Sequence, residues 1–189
     1  MQIKRGLLVI ISSPSGGGKD TVIDRLLKIF PNSTRLINTT TRVPRPKDTP
    51  GVTYDFISNE QFKTGLSNKE YLEHNFYNGY YYGVNNQRLN TALAEHDLVF
   101  TNIDVNGRKS AADAGVKNLS IFLLPDDLKN LRTRIAGRGG LDETQINERL
   151  ETAKREIARA NEYDFQVKNI QGKLDETVAK VTEIIKKII

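Results

Sequence analysis

The 189-residue chain has no cysteine. That excludes disulfides and thiolate metal sites, and leaves the cytoplasm as the expected compartment. No apolar run is long enough to span a bilayer, so no membrane is expected. The opening "MQIKRGLLVIIS" has a short apolar core like that of a signal sequence. It lacks a small-residue cleavage site and runs straight into a glycine loop, so it is read as a buried strand. Charge of one sign is barely in excess: 28 basic against 23 acidic residues leave +5, too little to point to nucleic acid. Internal repeats and low-complexity tails are missing too. Such a length fits one compact domain, with room for small inserted lobes.

What is present is an alternation of strand and helix patterns. "LLVIIS" is a β-branched apolar run typical of a strand buried on both faces of a parallel sheet. Glycines follow, then "KDTVIDRLLKIF", with Val22, Ile23, Leu26, Leu27 and Phe30 at helical spacing and Pro31 as the stop. "LVFTNID" (98–104) and "LSIFLLP" (119–125) are short strands, each leading into a helical stretch. A last strand at 165–168 precedes the helix "LDETVAKVTEIIKKII". Strands alternating with helices predict a parallel sheet covered on both faces, with the loops that follow the strands along one edge. Two segments break the rhythm. Residues 38–84 are rich in Tyr, Asn, Thr and Pro and read as a small mixed lobe with a short helix at "SNEQFKTGL". Residues 137–144, "GRGGLDET", read as a glycine-rich hinge between helices and a mobile flap.

"SSPSGGGKDT" (12–21) nearly fits the phosphate-loop pattern G-x-x-x-x-G-K-[ST]. Ser13, Pro14, Ser15, Gly16, Gly17, Gly18, Lys19, Asp20 and Thr21 are its candidate nucleotide contacts. Successive backbone N–H groups would form an anion nest, with the positive end of the following helix behind it. Lys19 would reach the β- and γ-phosphates. Ser13 replaces the first glycine, a position that shapes the turn more than it touches phosphate. Asp20 replaces the hydroxyl residue that normally meets Mg²⁺. A carboxylate there repels phosphate unless a cation lies between; direct ligation of Mg²⁺ would make it attractive. It equally complements a helix N-terminus. Both readings stay open and are compatible.

Beyond the loop, "NTTTRVPRPKDTPGVTYDFIS", "EYLEHNFYNGYYYGV" and "NIDVNG", with the later "RIAGRGG" and "INERL", together resemble the guanylate kinase family. The motifs stand in family order and cover most of the chain. The resemblance implies a P-loop three-layer α/β/α fold with a parallel sheet core (1–37, 85–128 and 150–189), an inserted monophosphate-binding lobe (38–84) and a small lid (129–149). It implies phosphoryl transfer from ATP, with Mg²⁺, to a nucleoside monophosphate, GMP or dGMP before others. ATP and that nucleotide are the expected partners, and the protein is expected as a monomer or homodimer.

By the same resemblance Arg42, Arg45, Tyr54 and Tyr82 grip the acceptor phosphate. Two forked guanidiniums and two phenols suit a dianion. Glu73 and Asp104 face the guanine N1 and N2 donors. Asn38 and Val84 stand where the family has hydroxyls near the base; Asn38 retains a donor and Val84 does not. Arg134, Arg138 and Arg149 match the lid arginines, although salt bridging of Arg149 to Glu148 and Glu151 is a ready alternative. Asn169 falls in the loop beside the adenine. Asn102 occupies a strand-end position where the family carries an aspartate near the metal. A carboxylate is thus missing at 102 and gained at 20, which reads as a compensating exchange. Two rivals remain. "GGGKD" with "YYGV" also resembles the ribose 1,5-bisphosphate kinases, which Glu73 and Asp104 argue against. A non-catalytic scaffold of this fold would lack a working loop such as residues 16–19.

Overall fold

The structure, a computed structural model, describes residues 6–44, 48–77, 79–137 and 140–189. In chain order its elements are β1 (Leu7–Ser12), α1 (Lys19–Ile29), β2 (Ser33–Arg35), β3 (Thr39–Thr40), β4 (Asp55–Phe56), α2 (Asn59–Ser67), β5 (Tyr71–Tyr77) and β6 (Tyr80–Asn85). Then come α3 (Asn86–Glu95), β7 (Leu98–Thr101), α4 (Val105–Asp113), β8 (Asn118–Pro125), α5 (Leu128–Ala136), α6 (Glu143–Ala158), β9 (Phe165–Asn169) and α7 (Leu174–Ile188). One sheet has the order β2-β7-β1-β8-β9, the other β4-β3-β6-β5. β2 runs parallel to β7, and β8 to β9. The mixed α/β class with a parallel core is therefore borne out. No helix among the described residues is long and apolar enough to cross a membrane.

The chain divides into two compact units. One comprises Met1–Leu8, Asn32–Thr101 and Asn106–Asn118; the other comprises Val9–Pro31, Asn102–Val105 and Leu119–Ile189.

In the first unit, β5 and β6 form an antiparallel hairpin, with a register irregularity between Tyr71 and Glu73. α2 lies over this sheet through Phe62, which is fully buried and stacks on Tyr71 and Tyr81 at centroid distances of 4.4 and 5.1 Å. Ser58 starts α2 with a reciprocal capping box to Gln61, which satisfies two of the orphan N–H groups of the first turn. Aromatic stacking of this kind adds about 0.5–1.5 kcal/mol per pair beyond area burial.

In the second unit, α5 and α6 pack through Leu131, Ile135, Ile146 and Ala153, all buried. Each helix has a side-chain N-cap: Asp127 accepts from the Asn130 N–H, and Asp142 from the Gln145 N–H. α7 buries Thr177, Val178, Val181 and Ile185 along one stripe, the 3.6-residue period its sequence announces.

Candidate active site

Residues 13–18 form a tight loop between β1 and α1. Gly16 and Gly18 have φ of +82° and +84°, the left-handed region that side chains avoid. Gly17 is needed for space, because an added Cβ would lie 2.5 Å from Ser13 Oγ and 2.9 Å from the Pro14 carbonyl oxygen. The Gly17 N–H donates to the Pro14 carbonyl at 2.8 Å and closes the turn. A second brace comes from far along the chain. Asn169 Nδ2 donates to the Gly17 carbonyl at 2.8 Å, while Thr177 Oγ1 donates to Asn169 Oδ1 at 3.0 Å. Both polar ends of this buried amide are thus engaged in holding the loop.

Lys19 is the first residue of α1 and Asp20 the second. The ammonium of Lys19 makes no hydrogen bond or ion pair with another described residue, and the side chain is half-buried. Asp20 is exposed and accepts from Asn102 Nδ2 at 2.8 Å. The segment carrying Asn102 is tied to the end of β1, where Ser12 Oγ donates to the Ile103 carbonyl at 2.6 Å. So the two departures from the family pattern touch each other, and one carboxylate oxygen of Asp20 is oriented by the amide at 102.

Of the arginines expected in a lid, Arg134 pairs with Asp126 at 3.2 Å. Burial works against charge on Asp126, but the Gln171 N–H, the Asn130 amide, the Asp127 N–H and Arg134 outweigh it and hold the carboxyl below its usual range. Among the described residues Arg149 makes no ion pair, and Glu151 pairs with Lys154 at 2.6 Å. Arg138 lies outside the described residues, as do Arg45 and Pro46.

Sequence reasoning passed over Glu156 on α6. Burial pushes its carboxyl from the ordinary 4.5 up to about 7; Lys19 and Arg155 pull it down, and Asp104 raises it. Asp104 belongs to the same unit and lies within electrostatic reach of Arg159, whose guanidinium grips Glu162 at 2.6 and 3.0 Å. Among the described residues, no group of three or more His, Asp or Glu could by itself hold a metal ion.

Of the residues expected at the acceptor, Asn38, Arg42, Tyr54, Glu73, Tyr82 and Val84 are in the first unit, and Asn102 and Asp104 are in the second. Arg42 is 8% exposed and pairs with Asp48, itself only 13% exposed, at 2.8 Å. Its guanidinium lies 5.6 Å from the Tyr54 ring centroid and 5.5 Å from that of Phe56. Tyr54 meets Tyr82 edge-on at 6.1 Å. Burial opposes the charge of Arg42, but Asp48, Tyr82 and Tyr54 more than offset it and raise its pKa. Three members of the expected quartet are thus neighbours. The residues expected at the base are placed by register. Glu73 on β5 stands opposite Val84 on β6, and Thr39 on β3 opposite Gly83. One residue back along the same register sets Asn38 beside Val84. Directly opposed residues share a face, so Glu73, Val84 and Asn38 form a row, with Tyr82 two residues along on that face. Glu73 and Asn38 are both buried, at 9% and 7% exposure.

A strand, a glycine loop, a lysine at the helix start and a separate arginine–tyrosine cradle define a P-loop phosphotransferase. The sequence model of guanylate kinase matches residues 5–188. The guanylate kinase of Prochlorococcus marinus subsp. pastoris is 40% identical over 179 residues, 95% of this chain and 96% of that protein. The guanylate kinase of Halalkalibacterium halodurans is 37% identical, covering 92% of this chain and 85% of its own length. Among solved structures, the crystal structure of guanylate kinase from Anaplasma phagocytophilum superposes with a TM-score of 0.77 at 26% identity, over 97% of this chain and 86% of that one. The chain belongs to the guanylate kinase family, as its motifs indicated, and is a phosphotransferase of that kind.

Proposed function

We propose that this enzyme transfers the γ-phosphoryl group of ATP to GMP or dGMP in the cytoplasm, using Mg²⁺. The observation that carries the acceptor reading is the buried row of Glu73, Val84 and Asn38 beside the Arg42–Tyr54–Tyr82 cluster. The relatives named above, all guanylate kinases, support it. A carboxylate accepts two adjacent donors, which guanine has on N1 and N2 and adenine lacks. The phosphate of the same nucleotide falls to Arg42, Arg45, Tyr54 and Tyr82.

On the donor side, the N–H groups of Gly16 and Gly18, with Lys19, bind the ATP phosphates, while the Gly17 N–H holds the turn closed. Asn169 keeps that loop in shape. Arg134, Arg138 and Arg149 stabilise charge on the moving group, and Asp126 aims Arg134. The lobe at 38–84 and the lid at 129–149 close over the reactants and exclude water. Phosphoryl transfer asks little covalent help of the protein; alignment and charge neutralisation supply the rate.

The donor set fits Mg²⁺. Asp20 offers one carboxylate with an oriented oxygen and lies at a helix start where phosphates gather. A cation taking one carboxylate and otherwise phosphate oxygens and water is in its preferred surroundings. When bound, Mg²⁺ neutralises charge that develops between the β- and γ-phosphates. Asp20 would hold it and Asn102 would orient Asp20. Asp20→Ser is therefore expected to weaken Mg·ATP binding about tenfold or more, and adding Asn102→Asp to recover most of the loss. Titration of Mn²⁺ by paramagnetic resonance in the presence of ATP reads this without turnover. A single variant that phosphorylates faster at every Mg²⁺ level would overturn the exchange.

Initial rates on GMP, dGMP, AMP, UMP and ribose 1,5-bisphosphate test the whole assignment. The expected kcat/KM for GMP exceeds that for AMP by about 10⁴-fold, the discrimination available to a site built to pair with base donors. Preference for ribose 1,5-bisphosphate would mean that the acceptor row has been misread.

A further inference from the structure

We infer that Asn169 and Thr177 are positioning residues for the phosphoryl donor: by holding the Gly17 carbonyl they lock the peptide between Gly17 and Gly18, so that the Gly18 N–H faces the donor phosphates. The inference deepens the reading of residues 16–19 as the donor cradle and rests on it.

The loop leaves one peptide unsupported by its own backbone. The Gly17 N–H donates to the Pro14 carbonyl at 2.8 Å, which fixes the peptide before Gly17. The Gly18 carbonyl accepts the Val22 N–H at 3.1 Å, which fixes the peptide after Gly18. Between them, the Gly17 carbonyl and the Gly18 N–H belong to a single planar unit. Turning that unit over needs only the ψ of Gly17 and the φ of Gly18 to change, and glycine occupies both signs of φ about equally. Gly18 stands at φ +84°. The local chain therefore favours neither orientation of this peptide.

The choice is made from the far end of the sequence. Asn169 Nδ2 donates to the Gly17 carbonyl at 2.8 Å. In a trans peptide the carbonyl and the N–H point in opposite directions. With the carbonyl held by Asn169, the Gly18 N–H points away from that amide, and it donates to no described residue. Reversed, the peptide would present a carbonyl oxygen to phosphate in place of a donor and repel it. Gly18 also has to be glycine for the amide to come this close, because an added Cβ would lie 2.8 Å from Asn169 Nδ2.

Thr177 sets the amide itself. An asparagine side chain can turn over and exchange its donor for its acceptor. Thr177 Oγ1 donates to Asn169 Oδ1 at 3.0 Å, and its other acceptors, the Lys168 and Lys173 carbonyls, are each at 3.4 Å. Asn169 and Thr177 are 7% and 2% exposed, so water does not replace a lost partner. Asn169 is fixed in turn as the last residue of β9, in register with Pro125 of β8, while Thr177 is on α7. All of these residues belong to the second unit.

The test is calorimetric titration of ADP and of tripolyphosphate, each with Mg²⁺, into the full chain with GMP saturating. Tripolyphosphate offers phosphates and no base. Asn169→Leu and Thr177→Val should bind both ligands more weakly, by about 10-fold and about 3- to 10-fold, the loss being set by the fraction of molecules with the peptide correctly turned. Thr177→Ser keeps the hydroxyl and should bind both within about twofold of wild type. Loss confined to ADP overturns the inference and makes Asn169 a contact of the adenine, beside which the family resemblance sets it. Undiminished binding by Asn169→Leu or Thr177→Val, with only a lower melting temperature, is what a purely structural role gives and overturns it too. So does a Thr177→Ser variant as weak as Thr177→Val. Wild type alone supplies a check that no misfolded variant can spoil. With ¹⁵N-labelled glycine, the Gly18 amide proton should move downfield on adding tripolyphosphate; saturable binding with that resonance unmoved refutes the lock. Failure of wild type to bind tripolyphosphate saturably overturns the donor cradle itself, and this inference with it.

Discussion

Lys19→Met should lower kcat by about 10²–10³-fold, the loss typical when one preorganised partner of developing charge is removed. Methionine keeps the length of the stem, so the loop need not rearrange. GMP affinity should stay within about twofold, because Glu73 and the Arg42–Tyr54–Tyr82 cluster belong to the other compact unit. The melting temperature should hardly change, since the ammonium makes no hydrogen bond or ion pair with a described residue. Relief of a cation at a helix N-terminus is worth about 0.3–1 kcal/mol in the variant's favour, opposed by the loss of a neighbour for Glu156. Steady-state rates with ATP varied at saturating GMP, beside a melt, separate these outcomes. A variant retaining more than about a tenth of the wild-type kcat would remove Lys19 from the reaction.

Arg42→Met should damage stability and binding together, and a second substitution should separate the two. Arg42 and Asp48 form a nearly buried pair at 2.8 Å. Removing the guanidinium leaves the carboxylate without that partner, at a cost of about 3–5 kcal/mol. For a chain of this size that corresponds to roughly 6–20 °C in melting temperature. Asp48→Asn in the same chain removes the charge that Arg42 balanced and should restore most of that loss. It cannot restore the acceptor grip, so KM for GMP should stay raised by about 10²-fold in single and double variants alike. Lysine at 42 should rescue neither fully, since a point charge cannot reproduce a fork lying against Tyr54 and Phe56. A double variant with wild-type KM would show that Arg42 is purely structural.

What the sequence disclosed depended on how far apart the cooperating residues lie. The β1–loop–α1 unit was legible because its signal is contiguous: an apolar strand, three glycines, a lysine and a helical period. The row of Glu73, Val84 and Asn38 came from motif resemblance, and only the β5–β6–β3 register shows why they share a face. Two features were hidden. Asn169 stood out by position, yet its hold on Gly17 bridges 152 residues, beyond any local pattern. Glu156 reads as one more surface acid on an amphipathic helix. The burial that raises its carboxyl to about 7 is not signalled by its neighbours in the chain. Asp48 follows a proline-rich stretch, and nothing in its neighbours indicates that it folds back on Arg42. The exchange between positions 20 and 102 was readable as a pattern of loss and gain. The 2.8 Å hydrogen bond between them was not.

The clasp between Asn169 and Gly17 has a consequence for the protein as it is being made. At about 5–20 residues per second, a ribosome needs roughly 8–30 s to travel from one partner to the other. Throughout that interval the glycine turn lacks the amide that fixes its carbonyl. A half-synthesised chain would thus hold ATP poorly, and competence for the nucleotide would come late in translation, when the strand and helix bearing Asn169 and Thr177 have emerged.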